Sequence, residues 1–224
     1  MTLARRLVAE GLGTALLLAV VVGSGIMAER LAGGNLAIAL LANAIATGAG
    51  LVALILMFGA ISGAHFNPVV TLSEAWQKKV PAREVLPYIA VQVAGAFAGV
   101  AAAHGMFDQA LFFASNHART GPSQWWSEFV ATFGLVGVII GCARSRPAFT
   151  PFAVAAYITA AYWFTASTSF ANPAVTLARS ASNTFAGIRP VDAPGFILAQ
   201  LAGAIVATLV FCSLYPAPPP NTAR

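Results

Sequence analysis

Two short segments of this chain carry the same residue types in nearly the same order. Phe66-Asn-Pro-Val-Val-Thr-Leu72 returns as Ala171-Asn-Pro-Ala-Val-Thr-Leu177. Asn is a preferred helix N-cap because its side-chain oxygen accepts from a free backbone N–H, and Pro fits the first helical position. Each segment therefore predicts a helix start whose Asn amide NH2 is left to donate into the space before the helix. The residues of the two boxes are Asn67, Pro68, Val69, Asn172, Pro173 and Ala174.

A carboxylate and an amide accompany each of these helix starts. Glu10-Gly-Leu-Gly-Thr14 resembles Glu128-Phe-Val-Ala-Thr132, and Gln92-Val-Ala-Gly-Ala96 resembles Gln200-Leu-Ala-Gly-Ala204. Each Glu lies in an apolar segment and is therefore a functional candidate by default. We expect each Glu to accept hydrogen bonds from backbone N–H groups freed before its half-helix, and each Gln to serve packing or buried hydrogen bonding. A proton relay through the two carboxylates is the alternative.

The remaining reactive residue types form no catalytic pattern. His65 lies two residues before Asn67 without a partner at ligand spacing, so we expect it to line a vestibule rather than hold a metal. A role for His65 in pH gating is the alternative. Cys142 and Cys212 are predicted to be buried small hydrophobes. No nucleophile elbow, P-loop or zinc-protease motif is present, so neither an enzyme nor a cofactor is expected.

The composition is that of an integral membrane protein. The chain is 58% hydrophobic and 8% charged, whereas soluble domains carry about 25% charged residues. No Asp, Glu, Lys or Arg occurs in 31–73, 147–178 or 193–223. A β-barrel would instead show short alternating segments. The net charge of +5 comes from cations in short loops, where they act as topology signals rather than as nucleic-acid contacts.

The apolar segments predict an all-α membrane protein. Six spans fit at about 7–28, 36–60, 84–105, 124–143, 149–168 and 193–215, because a spanning helix needs roughly 20 apolar residues. Two pieces at about 67–77 and 172–183 are too short to span and are predicted to be re-entrant half-helices. We expect a single domain over 1–224, with repeats at about 1–109 and 120–215 and a Pro-rich, disordered cytoplasmic tail at 216–224.

The number of spans in each half fixes how the two halves are related. Three spans place the second half upside down relative to the first, which predicts an inverted repeat with its site at the midplane. The two half-helices then bring their positive N-terminal dipole ends together. A cation meets positive charge from both sides, whereas a neutral polar solute meets two amide donors. This arrangement predicts a pore.

The distribution of cations predicts the orientation in the membrane. With the N-terminus inside, the inner loops hold eight cations: Arg5, Arg6, Lys78, Lys79, Arg83, Arg144, Arg146 and Arg224. The outer loops hold four: Arg30, Arg119, Arg179 and Arg189. This bias predicts a multi-pass protein of the plasma (inner) membrane with both termini in the cytoplasm.

Together these motifs resemble the major intrinsic protein family, the aquaporins and glycerol facilitators. The resemblance covers the whole chain: six spans, two Asn-Pro-Ala-type boxes and the paired Glu and Gln signatures. It implies an aquaporin-like bundle, a homotetramer with one pore per subunit, and passive transport of a small neutral solute across the lipid bilayer.

The chain departs from the family pattern at several positions. The first box ends in Val69 where Ala is usual, and Val175 stands where the family nearly always places an Arg directly after the second box. The spacing that the resemblance implies puts the other outer-filter positions at Thr47, Ala160 and Ser169; the position of Ala160 can slip to Thr159 or Ala161. These residue types predict a wide, arginine-free outer filter. Arg179, one turn beyond Val175, is the candidate to lean back and replace the missing Arg.

An arginine-free filter of this type resembles the bacterial branch of the family associated with arsenic-resistance genes. The resemblance implies that the preferred substrates are uncharged trivalent arsenicals such as arsenous acid, which is similar to a small polyol. The alternatives are a general channel for water, glycerol or urea, an ion-leaky channel, and a non-conducting membrane scaffold.

Overall fold

Helices make up all of the regular structure in the described part of the chain. The computed structural model describes residues 1–215. The helices are α1 Leu3–Leu31, α2 Leu36–Ser62, α3 Pro68–Trp76, α4 Ala82–Met106, α5 Pro122–Ser145, α6 Thr150–Phe164, α7 Pro173–Arg179 and α8 Ala193–Leu214. One-turn 3-10 helices, Pro147–Phe149 and Pro190–Asp192, precede α6 and α8. The predicted Pro-rich tail, 216–224, lies outside the described residues.

Among the described residues, five helices are long and apolar enough to cross a membrane by themselves: α1, α2, α4, α5, and α8 together with its 3-10 turn. The sixth, α6, has 15 residues, which is about 22 Å of helix. The predicted span over 149–168 was therefore too long at its C-terminal end. Thr165 takes an extended backbone (φ −111°, ψ 140°), and the residues after it form an unwound segment that leads to Asn172.

The second half-helix is also shorter than the sequence predicted. It ends at Arg179 rather than near residue 183. The chain beyond it pairs with the loop that joins α4 to α5: Phe113 N donates to Ala181 O at 3.1 Å, and Ser115 N donates to Ser180 O at 3.0 Å. These bonds take up backbone groups that a longer helix would have used internally.

The packing of the helices repeats between the two halves. In the first half α1 packs against α4 and α2, and in the second half α5 packs in the same way against α8 and α6. Each half-helix contacts the long helix of the other half as well as its own, so α3 touches α8 and α7 touches α4. The halves are therefore interlocked at the centre of the bundle, as the inverted internal repeat predicts.

Small residues allow the paired helices to approach closely. A Cβ at Gly95 or Gly99 of α4 would collide with the backbone carbonyls of Gly11 and Ala15 on α1. In lipid, where the hydrophobic effect does not drive one helix against another, such close backbone packing is a main source of association.

Gly99→Ala is expected to destabilise the bundle by about 1–3 kcal/mol, the usual cost of overpacking a tight core. The measurement is thermal unfolding of the detergent-purified protein, together with the folded yield. Gly105→Ala, in the same helix, is the matched control because nothing lies within 4 Å of the added Cβ. Equal Tm values for the two variants would contradict the close packing of α1 on α4.

Candidate functional site: two half-helices across a buried cavity

Each Asn-Pro box starts a half-helix in the way that the sequence predicts. Asn67 Oδ1 accepts from Val69 N at 3.1 Å. Asn172 Oδ1 accepts from Ala174 N at 3.0 Å and from Val175 N at 3.3 Å. Pro occupies the next position in both boxes, where a backbone N–H would have no partner within the helix, so its missing N–H costs nothing.

The amide nitrogens of the two Asn side chains tie the halves together. Asn67 Nδ2 donates to Ala171 O, and Asn172 Nδ2 donates to Phe66 O, each at 2.8 Å. The sequence predicted that both NH2 groups were free to donate. The structure corrects this, because each NH2 group already donates one hydrogen bond to the other half. An amide NH2 carries two N–H donors, so one donor per Asn remains for a molecule in the cavity.

A buried carboxylate holds the unwound segment before each half-helix. Glu10 accepts from Ser62 Oγ (2.7 Å), His65 N (2.9 Å) and Phe66 N (2.7 Å). Its side chain and backbone are fully buried. Since a bilayer offers no water to satisfy these N–H groups, the carboxylate replaces the hydrogen bonds that a helix would have made.

The second repeat reproduces this arrangement. Glu128, also fully buried, accepts from Phe170 N and Ala171 N at 2.8 Å each. Gln200 Nε2 donates to Glu128 Oε2 at 2.6 Å and to Thr176 Oγ1 at 2.9 Å. Both carboxylates are therefore surrounded by donors, a geometry that suits a structural acceptor better than a proton carrier.

Gln92 makes the corresponding bonds in the first half. Its Nε2 donates to Glu10 Oε2 at 2.8 Å and to Thr71 Oγ1 at 2.9 Å. Each Gln thus joins the carboxylate of its own half to its own half-helix.

The unwound segments adopt backbone conformations that non-glycine residues rarely take. Ala64 and Phe66 before the first box, and Ser169 and Ala171 before the second, have φ between 48° and 52°. The strain is of the kind that persists only where the surroundings impose it. It turns the carbonyls of Phe66 and Ala171 toward the opposite Asn, which closes the cross-links described above.

A cavity of about 230 Å³ is lined by both Asn67 and Asn172. Because α3 and α7 meet at their N-terminal ends, their C-terminal ends diverge toward opposite ends of this cavity. We call the end lined by Tyr162, Ser169, Phe170 and Arg179 the arginine end, and the end lined by His65, Glu74 and Lys79 the histidine end. Between them the wall is largely apolar, formed by residues that include Leu17, Val21, Leu51, Ile55, Val70, Leu135, Ile139, Val154 and Ile158.

Three of the four predicted filter residues lie on the cavity wall. They are Thr47, Ser169 and Val175. Ala160 does not: it is exposed on the outer surface of α6, which corrects the placement made from spacing. The residues of α6 that reach the cavity are four apart, Thr150, Val154, Ile158 and Tyr162, as one face of a helix requires.

The sequence reading missed Tyr162 and Phe170. Tyr162 OH lies 3.2 Å from Thr47 Oγ1, so an aromatic ring from α6 stands opposite the small residue on α2. Phe170 is buried beneath two cations. The four-residue spacing along α6 could have identified Tyr162, because Thr150, Val154 and Ile158 share its face.

Arg179 changes the prediction of an arginine-free filter. Position 175 is Val, yet the Arg179 side chain is 2% exposed and its guanidinium lines the cavity. The guanidinium carbon lies 3.4 Å from the centroid of the Phe170 ring, and Nε donates to Ala186 O. An arginine and two aromatic rings therefore stand on the wall that was expected to be small and uncharged.

His65 lies at the opposite end of the cavity. Its Nδ1 is 3.0 Å from Thr71 Oγ1, and its ring centroid is 5.4 Å from that of Tyr88. Lys79 and Glu74, at the same end, form an ion pair at 3.0 Å. Within residues 1–215 no group of three or more His, Cys, Asp or Glu side chains is arranged to hold a metal.

The geometry of two capped half-helices, cross-linked at a central cavity, is matched by known proteins. A family model described as major intrinsic protein matches residues 1–157. The chain belongs to the major intrinsic protein family. Its members of the aquaglyceroporin type are channels and not enzymes, so this protein is a multi-pass membrane channel for small solutes.

Relatives over nearly the full length support this membership. The chain is 56% identical over 218 residues to "Aquaglyceroporin AqpS" of Rhizobium meliloti (strain 1021). This alignment covers 97% of the chain and 93% of the relative. It is 32% identical over 245 residues to "Aquaporin AqpM" of Methanothermobacter marburgensis, covering 94% and 97%. The solved aquaglyceroporin of Plasmodium falciparum, 20% identical, superposes with a TM-score of 0.70 over 96% of each chain and shows the shared fold.

Glu128→Gln is expected to lower the folded yield, because the neutral amide turns one acceptor oxygen into a donor that faces Phe170 N or Ala171 N. Losing a hydrogen bond to a charged group costs about 1.5–3 kcal/mol. The measurement is the monodisperse fraction after detergent extraction. Glu29→Gln, at an exposed position near the end of α1, is the control. Normal yield with an altered pH dependence of solute flux would support the proton-relay alternative instead.

Proposed function

We propose that this channel passively conducts small uncharged solutes and that its preferred substrates are trivalent arsenicals such as arsenous acid. The observation that carries the proposal is the cavity that runs past both Asn side chains, with an apolar wall and a small set of hydrogen-bonding groups. Arsenous acid is mostly neutral at physiological pH and presents hydroxyl groups like those of a small polyol. One free donor on each of Asn67 and Asn172 suits such a molecule.

The proposed filter lies at the arginine end and consists of Thr47, Tyr162, Ser169 and Val175, with Arg179 one turn beyond. Tyr162 replaces Ala160 in the set expected from spacing. Hydroxyl groups of Thr47 and Tyr162 face each other and offer both donors and acceptors to a solute. Val175 leaves the wall next to the second box apolar and uncharged.

The electrostatics of the cavity argue against the ion-leaky alternative for cations. The N-terminal ends of α3 and α7 both direct partial positive charge at the Asn pair, and Arg179 adds a full positive charge at one end. The non-conducting scaffold is disfavoured because both boxes and both buried carboxylates keep the geometry of a pore.

The placement of the chain in the membrane is part of the same proposal. Lys78, Lys79 and Arg83 flank the histidine end, which we assign to the cytoplasm of a plasma (inner) membrane, together with both termini. We also propose a homotetramer with one pore per subunit. The exposed apolar side chains of α2, which include Ile38, Leu41, Ile45, Leu56 and Met57, are available to pack against another copy. Light scattering in detergent measures the number of subunits.

Val175→Arg is expected to reduce the flux of arsenous acid and glycerol by about tenfold, the effect of roughly 1.4 kcal/mol on the barrier, while water flux falls less. The new guanidinium narrows the cavity beside Asn172 and lies one turn from Arg179. Stopped-flow swelling of proteoliposomes with water, urea, glycerol and arsenous acid provides the measurement.

Val175→Leu is the control that adds bulk without charge, so it separates narrowing of the cavity from the effect of the added positive charge. A parent protein that passes glycerol and urea as fast as arsenous acid would leave the general channel as its function. Absence of flux for every solute would favour the scaffold. Unchanged solute flux in Val175→Arg would place the constriction elsewhere.

Asn172→Asp is expected to admit cations, because it puts a negative charge where two positive helix ends converge and removes the donor to Phe66 O. The carboxylate keeps the capping acceptor for Ala174 N, so the half-helix still starts at its usual position. Conductance of planar bilayers in a sodium gradient is the measurement. Asn35→Asp, at the exposed cap of α2, is the control. If the Asn172→Asp variant inserts correctly but shows no added conductance, the Asn pair is not the barrier to cations.

A further inference from the structure

The Arg179 side chain is held in place, yet four of its five N–H donors make no hydrogen bond within the described residues. Its Nε donates to Ala186 O, its ring partner is Phe170, and its own carbonyl accepts from Ile188 N at 3.4 Å. Within residues 1–215 neither of its Nη atoms has a hydrogen-bond partner, and the side chain lines the cavity. Arg179 is only 2% exposed, and its two NH2 groups have no acceptor among the residues that the structure describes. Because unsatisfied buried donors are costly, we expect a ligand in the cavity to supply the acceptor atoms.

No carboxylate neutralises this charge in the described part of the chain. The ion pairs among residues 1–215 are Arg6–Glu84, Lys79–Glu74 and Arg189–Asp192, and none includes Arg179. Glu128 lies on the same side of the bundle, but its two oxygens already accept from Phe170 N, Ala171 N and Gln200. A buried cation without a counter-charge is costly, which favours a mobile anion as its partner.

A second fixed cation strengthens the positive field. Arg119 lies with its guanidinium carbon 5.2 Å from the Phe170 ring centroid. Its guanidinium donates to neutral groups, which are the carbonyls of Ser167, Phe185 and Gly187 and the Thr168 hydroxyl, while its backbone N donates to Asp192 Oδ2 at 2.9 Å. In the adjoining loop, burial lowers the pKa of His117, and the charges of Arg119 and Arg179 lower it further, while Glu29 acts in the opposite sense.

Further polar groups at the arginine end complete a small site. Ser169 Oγ is buried without a hydrogen-bond partner in the described residues, and Ser169 lines the cavity beside Phe170. Tyr162 OH shares its hydrogen bond with Thr47 and lies on the same wall. The whole cavity has a volume of about 230 Å³, which admits a small anion but not a disaccharide acid.

We propose that the arginine end of the cavity binds a small monovalent oxyanion or carboxylate through the two free NH2 groups of Arg179. Two parallel N–H donors match two oxygens of such an anion in a bidentate geometry. The bound anion occupies the path that neutral solutes use and therefore blocks their flux. The block, though not the binding, depends on the proposed channel function.

Nitrate is the probe, because it is planar, monovalent and charged at every working pH. In parent proteoliposomes glycerol flux is expected to fall saturably with nitrate, by about tenfold when the site is full, since one anion excludes the solute by mass action. Lactobionate, a monovalent disaccharide acid larger than the cavity, is the size control at equal ionic strength and is expected to have no effect. Nitrate is also expected to raise the Tm of the purified parent protein, because it binds the folded state alone.

Arg179→Gln is expected to remove both the block and the Tm increase. Arg179→Lys keeps the charge but loses the bidentate geometry, so a weaker nitrate response is expected, and it serves if the Gln variant does not fold. Arg30→Gln is the matched control: Arg30 bonds Phe107 O at 3.0 Å, lies outside the cavity, and should leave the nitrate response intact.

The outcomes distinguish failure of the anion site from failure of the proposed channel function. Glycerol flux that is insensitive to nitrate, with no change in Tm, would overturn the anion site while leaving the channel in place. A parent protein that conducts no glycerol would overturn the proposed substrate range, yet a nitrate-dependent Tm lost in Arg179→Gln would still support the anion site. Equal responses to nitrate and lactobionate would also overturn the site, because a general salt effect does not depend on the size of the anion.

Discussion

The structure depends on how backbone N–H groups are satisfied where no water is present. A pore needs unwound chain at membrane depth, and each unwound residue exposes groups that cost several kcal/mol if they stay unpaired. Glu10 and Glu128 meet this requirement by accepting from two consecutive N–H groups each, at 2.7–2.9 Å. The half-helices, the strained residues before them and the cavity all rest on these two buried carboxylates.

The cross-links between the halves follow from that support. Once the unwound segments are held, the carbonyls of Phe66 and Ala171 face the opposite Asn and accept from it at 2.8 Å. Each half therefore completes the site of the other, and neither half-helix is positioned by its own repeat alone. This reciprocity explains why the near-identical boxes lie at matched positions in the two halves.

The two ends of the cavity are chemically unequal although the halves are related by an inverted repeat. The histidine end holds His65 and the Lys79–Glu74 ion pair, whereas the arginine end holds a guanidinium that packs against Phe170 and has no ion-pair partner among residues 1–215. The difference comes from the loops rather than from the helices: Ala186 and the chain around Arg119 hold the arginines in place. In the proposed function, selectivity for solutes is decided at the arginine end, while the Asn pair in the middle of the cavity excludes cations.

The sequence by itself determined the class of protein, the six helices, the two half-helices and their pairing, because apolar length, Asn-Pro caps and repeated Glu and Gln are local signals. The filter positions that the family resemblance implies at Thr47, Ser169 and Val175 stay a prediction, although all three residues line the cavity. Only the tertiary structure decided which face of α6 meets the cavity: Tyr162 lines it, whereas Ala160 is exposed. It also decided that Arg179 turns into the cavity, since that depends on Phe170 and on Ala186, a carbonyl seven residues away across a loop. Which face of a helix points inward, and where a long side chain is directed, depend on contacts between segments that are distant in sequence. A local sequence pattern therefore does not determine them.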